Sequence, residues 1–285
     1  MKRLFAALTR GSGWLGLVGG ALLLLLVAIA LFGPLLDLPD PTRTNLRVRM
    51  LAPTLSWTGA GPYPLGTDQL GRDILARIVA GSRVTLTIAA AAVVLGGIVG
   101  TLLGLASGYF GGLADRLLMR LVDIQLAIPL MLLALLVVAA AGPSLRNLVI
   151  VLALVSWVRY ARIVRGQVLA VREREFVQSA RAIGASSLRI LLLHILPNVL
   201  TPAVVVATLE LARVIVMEAG LSFLGLGVQP PAPSWGRMLA EGRTYIASAW
   251  WIITFPGLAL MLTVLAVNLL GDWLRDYLDP RLATR

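Results

Sequence analysis

The stretch Arg172–Pro197 reads REREFVQSARAIGASSLRILLLHILP. It is a charged, helix-prone island between two long apolar runs, so it has to leave the bilayer and meet something at the membrane surface. Phe176, Val177, Ala180 and Ile183 recur at helical spacing and set an apolar stripe beside Arg172, Arg174 and Arg181. Gly184 interrupts the pattern. Ser186 is placed to cap a second short helix with a stripe of Leu188, Leu191, Leu192 and Ile195, and Pro197 is expected to stop it before the next apolar run. The reading is two short helices joined by a glycine turn. A surface helix with an arginine-rich polar face on any membrane protein would share these features, so the stripe alone identifies no partner.

The flanking runs decide the class. A chain of 285 residues with 58% hydrophobic and only 14% charged residues, and a mean hydropathy of +0.88, is a polytopic membrane protein. The net charge of +11 comes almost entirely from arginine, Lys2 being the single lysine. Scattered among apolar spans, these charges fit a lipid bilayer and topology signals better than nucleic acid, which is not expected as a partner. With no cysteine and one histidine, neither a disulfide framework nor a Cys/His metal site is available, so no metal is expected in this chain.

The apolar runs predict an all-α membrane protein with six transmembrane helices. The first, from about Trp14 to Leu36, follows Lys2, Arg3 and Arg10; it is longer than the apolar core of a secretory signal and has no convincing cleavage site after it. It reads as an uncleaved span. The others are expected at 84–109, 117–141, 145–164, 199–217 and 250–270, with Arg159 and its neighbours snorkelling at the end of the fourth. Six spans put both termini on one side. With the termini cytoplasmic, the inner segments carry 15 basic residues and the outer ones 9, which places the protein multi-pass in the cytoplasmic membrane with the 172–197 loop inside.

Within the spans, Gly96, Gly100, Gly104 and Gly108 fall four apart on one face of the second helix, a pattern that favours close helix packing over a direct part in a pathway. Glu210 and Arg213 are three apart in the fifth span and able to pair, with Glu218 near its outer end. A charge at the centre of a span costs about 2.5–3.5 kcal/mol on insertion scales, so these side chains should face protein or water. They are either a structural pair or a polar wall of a transport path. Between the first and second spans, Tyr63–Asp73 reads as a turn feeding a short amphipathic helix over Ile74–Ala80, and Glu218–Pro231, rich in glycine and proline, reads as a rigid loop rather than a span.

Several of these strings resemble one family. Gln178-Ser179-Ala180, three residues, Gly184, nine residues, then His194-Ile195-Leu196-Pro197 is similar to the EAA loop of bacterial ABC-importer permeases, where the pattern is Glu-Ala-Ala, Gly and Ile-x-Leu-Pro at the same spacing. Ala180, Gly184, Leu196 and Pro197 match, while Gln178, Ser179 and His194 depart from it. PLGTDQLGRDIL at 64–75, the segment from Glu218 to Gly236, Asn268–Asp272 and Leu278–Arg281 look like the smaller, C-type permease of the dipeptide, oligopeptide and nickel branch.

The resemblance covers about 63–281 and implies a type-I ABC-importer permease core at 82–272, preceded by an extra amino-terminal span within 1–81 and followed by a cytoplasmic tail at 273–285. It implies that Gln178, Ser179, Ala180, Arg181, Gly184, Leu196 and Pro197 form a coupling loop seated in a groove of an ATPase subunit. Glu210, Arg213 and Glu218 are the candidate pathway residues. The implied partners are a sister permease, cytoplasmic ATPase subunits and an external solute-binding protein, with ATP and magnesium bound by the ATPase subunits and no cofactor in this chain. The implied cargo is a di- or oligopeptide, with a nickel chelate as the alternative.

Other classes fare worse on chemistry. A serine hydrolase needs a base beside its nucleophile, yet Ser222 is expected outside and the only histidine, His194, inside. A self-sufficient pump needs a phosphate-cradling loop with its lysine, and Lys2 is the only lysine. No catalytic residue is therefore expected. A passive channel fits the hydropathy but gives the 172–197 loop no role.

Overall fold

The computed structural model describes residues 13–54 and 63–278, and the described residues form helices and connecting turns. The helices are α1 (Gly13–Phe32), α2 (Ile74–Phe110), α3 (Gly112–Ala127), α4 (Leu130–Ala141), α5 (Leu145–Val171), α6 (Glu175–Ala182), α7 (Ser187–Phe223), α8 (Trp235–Gly242) and α9 (Trp251–Leu278). The basic residues Lys2, Arg3 and Arg10 and the motif reaching Arg281 lie outside the described residues. Among the described residues five helices are long and apolar enough to cross a membrane, and the bent pair α3–α4, taken as one span, brings the number to six.

The centre of the bundle is α2 packed along α5. Gly96 faces Ala153 and Ser156, Gly104 faces Ala161 and Val164, and Gly108 faces Val168. A Cβ would stand 2.9 Å from the Ala153 carbonyl at position 96 and 2.7 Å from the Ala161 carbonyl at position 104, so only glycine lets these backbones approach. The expected packing stripe is therefore a real interface. Because the paired residue numbers rise together, α2 and α5 run parallel. The chain between them has to return across the bundle, and this is why α3–α4 counts as a span.

That span is not the continuous helix expected over 117–141. Pro129 forces Ile128 into an extended conformation, with ψ of 129°, and the two halves meet at 94°. The short amphipathic helix expected at Ile74–Ala80 is instead the first turns of α2, 37 residues and about 55 Å long. Asp73 starts it by accepting hydrogen bonds from the Leu75 and Ala76 amides at 2.7 and 3.3 Å. Gly81, just past the end expected for that short helix, is buried against Trp235 within the continuous α2.

Two arginines of α5 find acids on α3: Arg162 pairs with Asp123 at 2.6 Å and Arg165 grips Asp115 through two hydrogen bonds of 2.5 and 2.7 Å. One further expectation changes: Pro197 does not stop a helix. It occupies the first turn of the α-helical part of α7, where no amide donor is required. The preceding turn, Ile190–Ile195, is π-helical, so the Leu196 amide reaches five residues back to the Leu191 carbonyl. Asn198 Nδ2 takes the His194 carbonyl at 2.7 Å.

The bundle has two distinct ends. At one, the turn of Tyr63–Asp73 is roofed by α8 and the start of α9: Trp251 Nε1 donates to the Thr67 carbonyl at 3.1 Å and Trp235 Nε1 to the Ile78 carbonyl at 3.0 Å. At the other, Gly108 meets Val168, and Tyr109 lies under Arg181 of the 172–197 segment. These are called below the cap end and the loop end.

Candidate functional site

The 172–197 segment forms its two helices from capping chemistry. Helix α6 closes with a Schellman motif: the Ala185 amide reaches the Ala180 carbonyl at 3.0 Å and the Gly184 amide reaches the Arg181 carbonyl at 2.9 Å. Gly184 supplies the left-handed residue this motif needs, with φ of +77°. Ser186 then caps α7 by accepting from the Arg189 amide at 3.4 Å.

The faces differ from the expected stripes. Val177 and Ala180 are buried with Val164, Val168, Val171 and Leu105, but Phe176 and Ile183, predicted on the same face, point outward, Ile183 being 85% exposed. In α7 the inward residues are Ile190 and Ile195, five apart, because the π-helical turn rotates the face; Leu188 and Leu192 are exposed. The result is a two-sided element, with one apolar face bolted to the bundle and a second, around Ile183 and Leu188, turned away from it.

Of the seven loop residues singled out in the sequence, Gln178, Ser179, Arg181 and Gly184 lie on the outward side and Ala180 is buried. Gln178 Nε2 donates to the Glu173 carbonyl at 3.1 Å, and the Arg181 guanidinium sits 5.5 Å over the Tyr109 ring. Leu196 packs inward with Ile195, and Pro197 is exposed at the foot of the long helix. His194 lies beside Phe176, ring centroids 6.4 Å apart.

The charged residues of α7 separate into two settings. Glu210 is 2% exposed and pairs with Arg213 at 3.7 Å, and also with Arg159 of α5 at 3.2 Å, a partner the sequence did not reveal. Both guanidiniums address the same carboxylate oxygen, Oε1, and their side chains remain 32% and 48% exposed. Two positive charges thus share one negative charge on the outside of this bundle. Glu218, by contrast, is enclosed. It accepts from Ser222 Oγ at 2.7 Å and Thr85 Oγ1 at 3.4 Å, and Ser234 Oγ lies 3.5 Å from Ser222 Oγ. Through these contacts Glu218 ties α7 to α2 and α8 beneath the cap.

A third cluster escaped sequence reading altogether. Asp68 pairs with Arg72 at 2.6 Å and with Arg77, while Glu241 of α8 receives Arg72 at 2.6 Å, Arg77 at 2.9 Å and Arg237 at 3.0 Å. Burial would raise the Glu241 carboxyl, but the charges of Arg77 and Arg72 and the hydrogen bond from Arg237 outweigh it and hold it down to about 2. This network clamps the Asp68 turn to α8. No group of acidic or histidine side chains that would hold a metal ion occurs among the described residues.

The sequence matches the family described as the binding-protein-dependent transport system inner membrane component over residues 100–284. It is 47% identical over 270 residues to the di/tripeptide transport system permease protein DppC of Pseudomonas aeruginosa (strain UCBPP-PA14), covering 94% of this chain and 88% of that one. It is 40% identical over 267 residues to the probable D,D-dipeptide transport system permease protein DdpC of Escherichia coli (strain K12), with coverage of 94% and 88%. Among solved structures, inward-facing MetNI, a methionine ABC transporter, superposes with a TM-score of 0.55 at 21% identity, covering 70% of this chain and 96% of that one. An amino acid ABC transporter gives 0.55 at 16% identity, covering 70% and 92%. Six spans, a glycine-turned loop between the two long helices α5 and α7, and these relatives together place the chain in the binding-protein-dependent inner membrane component family, as a multi-pass transport-system permease with the fold of ABC-transporter permeases.

Proposed function

We propose that this permease moves di- and oligopeptides into the cell with a sister permease, cytoplasmic ATPase subunits and an external peptide-binding protein, and that 172–197 is where the ATPase subunit docks. The observation that carries the docking role is the two-sidedness of that element. Its inner face is locked to α5 and α7 by Val177, Ala180, Ile190 and Ile195, and its outer face offers exposed Ile183 and Leu188 to a partner. A push on the outer face therefore moves α5 and α7. The same two helices carry Arg159, Glu210 and Arg213, so closure of the ATPase subunits on ATP would shift the charged triad along with the loop. The relatives' names favour peptides over chelated nickel as the cargo.

The function is tested with the complete importer in proteoliposomes, comparing uptake of neutral, acidic and basic dipeptides with uptake of chelated nickel. Peptide uptake that needs both ATP and the binding protein is the expected result; nickel uptake alone would overturn the reading. The same assay separates the two roles of the triad. Replacing Glu210 and Arg213 together by leucine leaves Arg159 alone on the face, and if the face lines the path the assembled double variant changes its preference among charged peptides. Unchanged uptake of every peptide would leave a structural pair only.

The orientation we infer has the loop end and both termini in the cytoplasm, as the distribution of basic residues favours. Ser234 is a poor reporter because it is buried as the cap of α8. Ala247 and Ser187 are exposed and lie at the cap and loop ends respectively. In this cysteine-free chain, Ala247→Cys should react with an impermeant thiol reagent in intact cells and Ser187→Cys only after lysis. The reverse pattern would overturn both the orientation and the docking role.

A further inference from the structure

A groove of about 600 Å³ runs along the outside of the α2–α5 pair. Its walls are Val84, Ile88 and Leu95 of α2 with Val149 and Ile150 of α5, and Arg83 and Arg146 stand at its cap end. Both arginines are exposed, and neither is in an ion pair among the described residues, although Arg72, Arg77 and Arg237 of the nearby cap are all paired. Uncompensated guanidiniums at the rim of an apolar trough call for an anion that carries an apolar body.

The dimensions match one leaflet. From Arg83 to Leu95 the helix rises about 18 Å, close to half of the roughly 30 Å hydrocarbon thickness of a bilayer. Arg146 lies in the first turn of α5, and because α2 and α5 run parallel, both charges lie toward the same membrane surface while the trough descends toward the midplane. We propose that this groove is a binding site for one anionic phospholipid, its phosphate held by Arg83 and Arg146 and an acyl chain laid along Val84, Ile88, Leu95 and Ile150. A soluble anion would leave the trough empty, and a zwitterionic lipid would bring a cation of its own to the two guanidiniums. The proposal does not depend on which peptide, or which cargo, the importer carries.

The test uses the whole importer in nanodiscs of equal parts phosphatidylglycerol and phosphatidylcholine, released into native mass spectrometry. The wild-type complex should keep phosphatidylglycerol in preference to phosphatidylcholine, and Arg83→Gln with Arg146→Gln should weaken that retention roughly thirtyfold. Ala91 also lines the trough, and Ala91→Trp, which fills it and leaves both charges in place, should displace the lipid as well; it keeps the test decisive if the double variant does not assemble. A benzoylphenylalanine introduced at position 150 should cross-link to lipid. Equal retention of the two lipids by wild type, or cross-linking to the sister permease instead of lipid, would overturn the proposal.

Discussion

In the assembled importer, Gly184→Val should lower peptide uptake and substrate-stimulated ATP hydrolysis together, with the permease still present in the membrane at near-normal amounts. Gly184 holds φ of +77° as the left-handed residue of the Schellman motif. For an L-residue that region costs about 1–2 kcal/mol, and a β-branched side chain is a genuine outlier there. Such a penalty would shift the population of the docked-shape loop by roughly five- to thirtyfold. None of the described residues lies within 4 Å of a Cβ at 184, so the effect is conformational and not a clash within the bundle. Gly184→Asn provides the control: asparagine tolerates the left-handed region and should retain most of the coupling. If the valine variant assembled and transported as wild type, the loop geometry would have no part in coupling.

The largest loss of stability is expected from Arg77→Met. Its guanidinium is almost fully buried between Asp68 and Glu241, so its removal leaves Asp68, 1% exposed, short of a cation. Breaking a buried pair by deleting one partner typically costs about 3–5 kcal/mol, and here the released turn would also free the roof over Thr67. Arg237→Met removes a more exposed partner of the same Glu241 and should cost only about 0–1 kcal/mol. Thermal unfolding of the detergent-solubilised complex and protease sensitivity of the Tyr63–Asp73 turn report the difference. Equal stability of the two variants would mean the network is not holding the cap. Acid should act in the same direction. The folded Glu241 carboxyl lies near 2 against an ordinary 4.5, so its contribution is complete above about pH 4.5 and is lost as the pH falls toward 2.

Sequence alone determined the class, the number of spans, the packing face of Gly96–Gly108 and the helix–glycine–helix plan of 172–197. Each of these depends on local rules: hydropathy over a bilayer's length, side-chain period, and the conformations that glycine and serine favour. It also carried a signal that went unread, since Ile128-Pro129 marks the break in the third span through the restriction proline places on its predecessor.

Tertiary structure decided what depends on residues far apart. Arg159 joins Glu210 only because α5 lies against α7, and Arg72 meets Glu241 across 169 positions; no spacing rule spans such a distance. Packing likewise chose between readings that local pattern left equal. Gly81 under Trp235 continues a helix where exposed glycine would have ended one, the acids of α3 pair with Arg162 and Arg165 of α5, and a π-helical turn carries α7 past Pro197 while turning Ile190 and Ile195 inward. The physical reason is common to all of these cases. Local propensity differs between alternatives by about 1 kcal/mol or less per residue, whereas burying or stranding a charge or a large side chain is worth several times that, so the neighbours a residue acquires on folding settle its role.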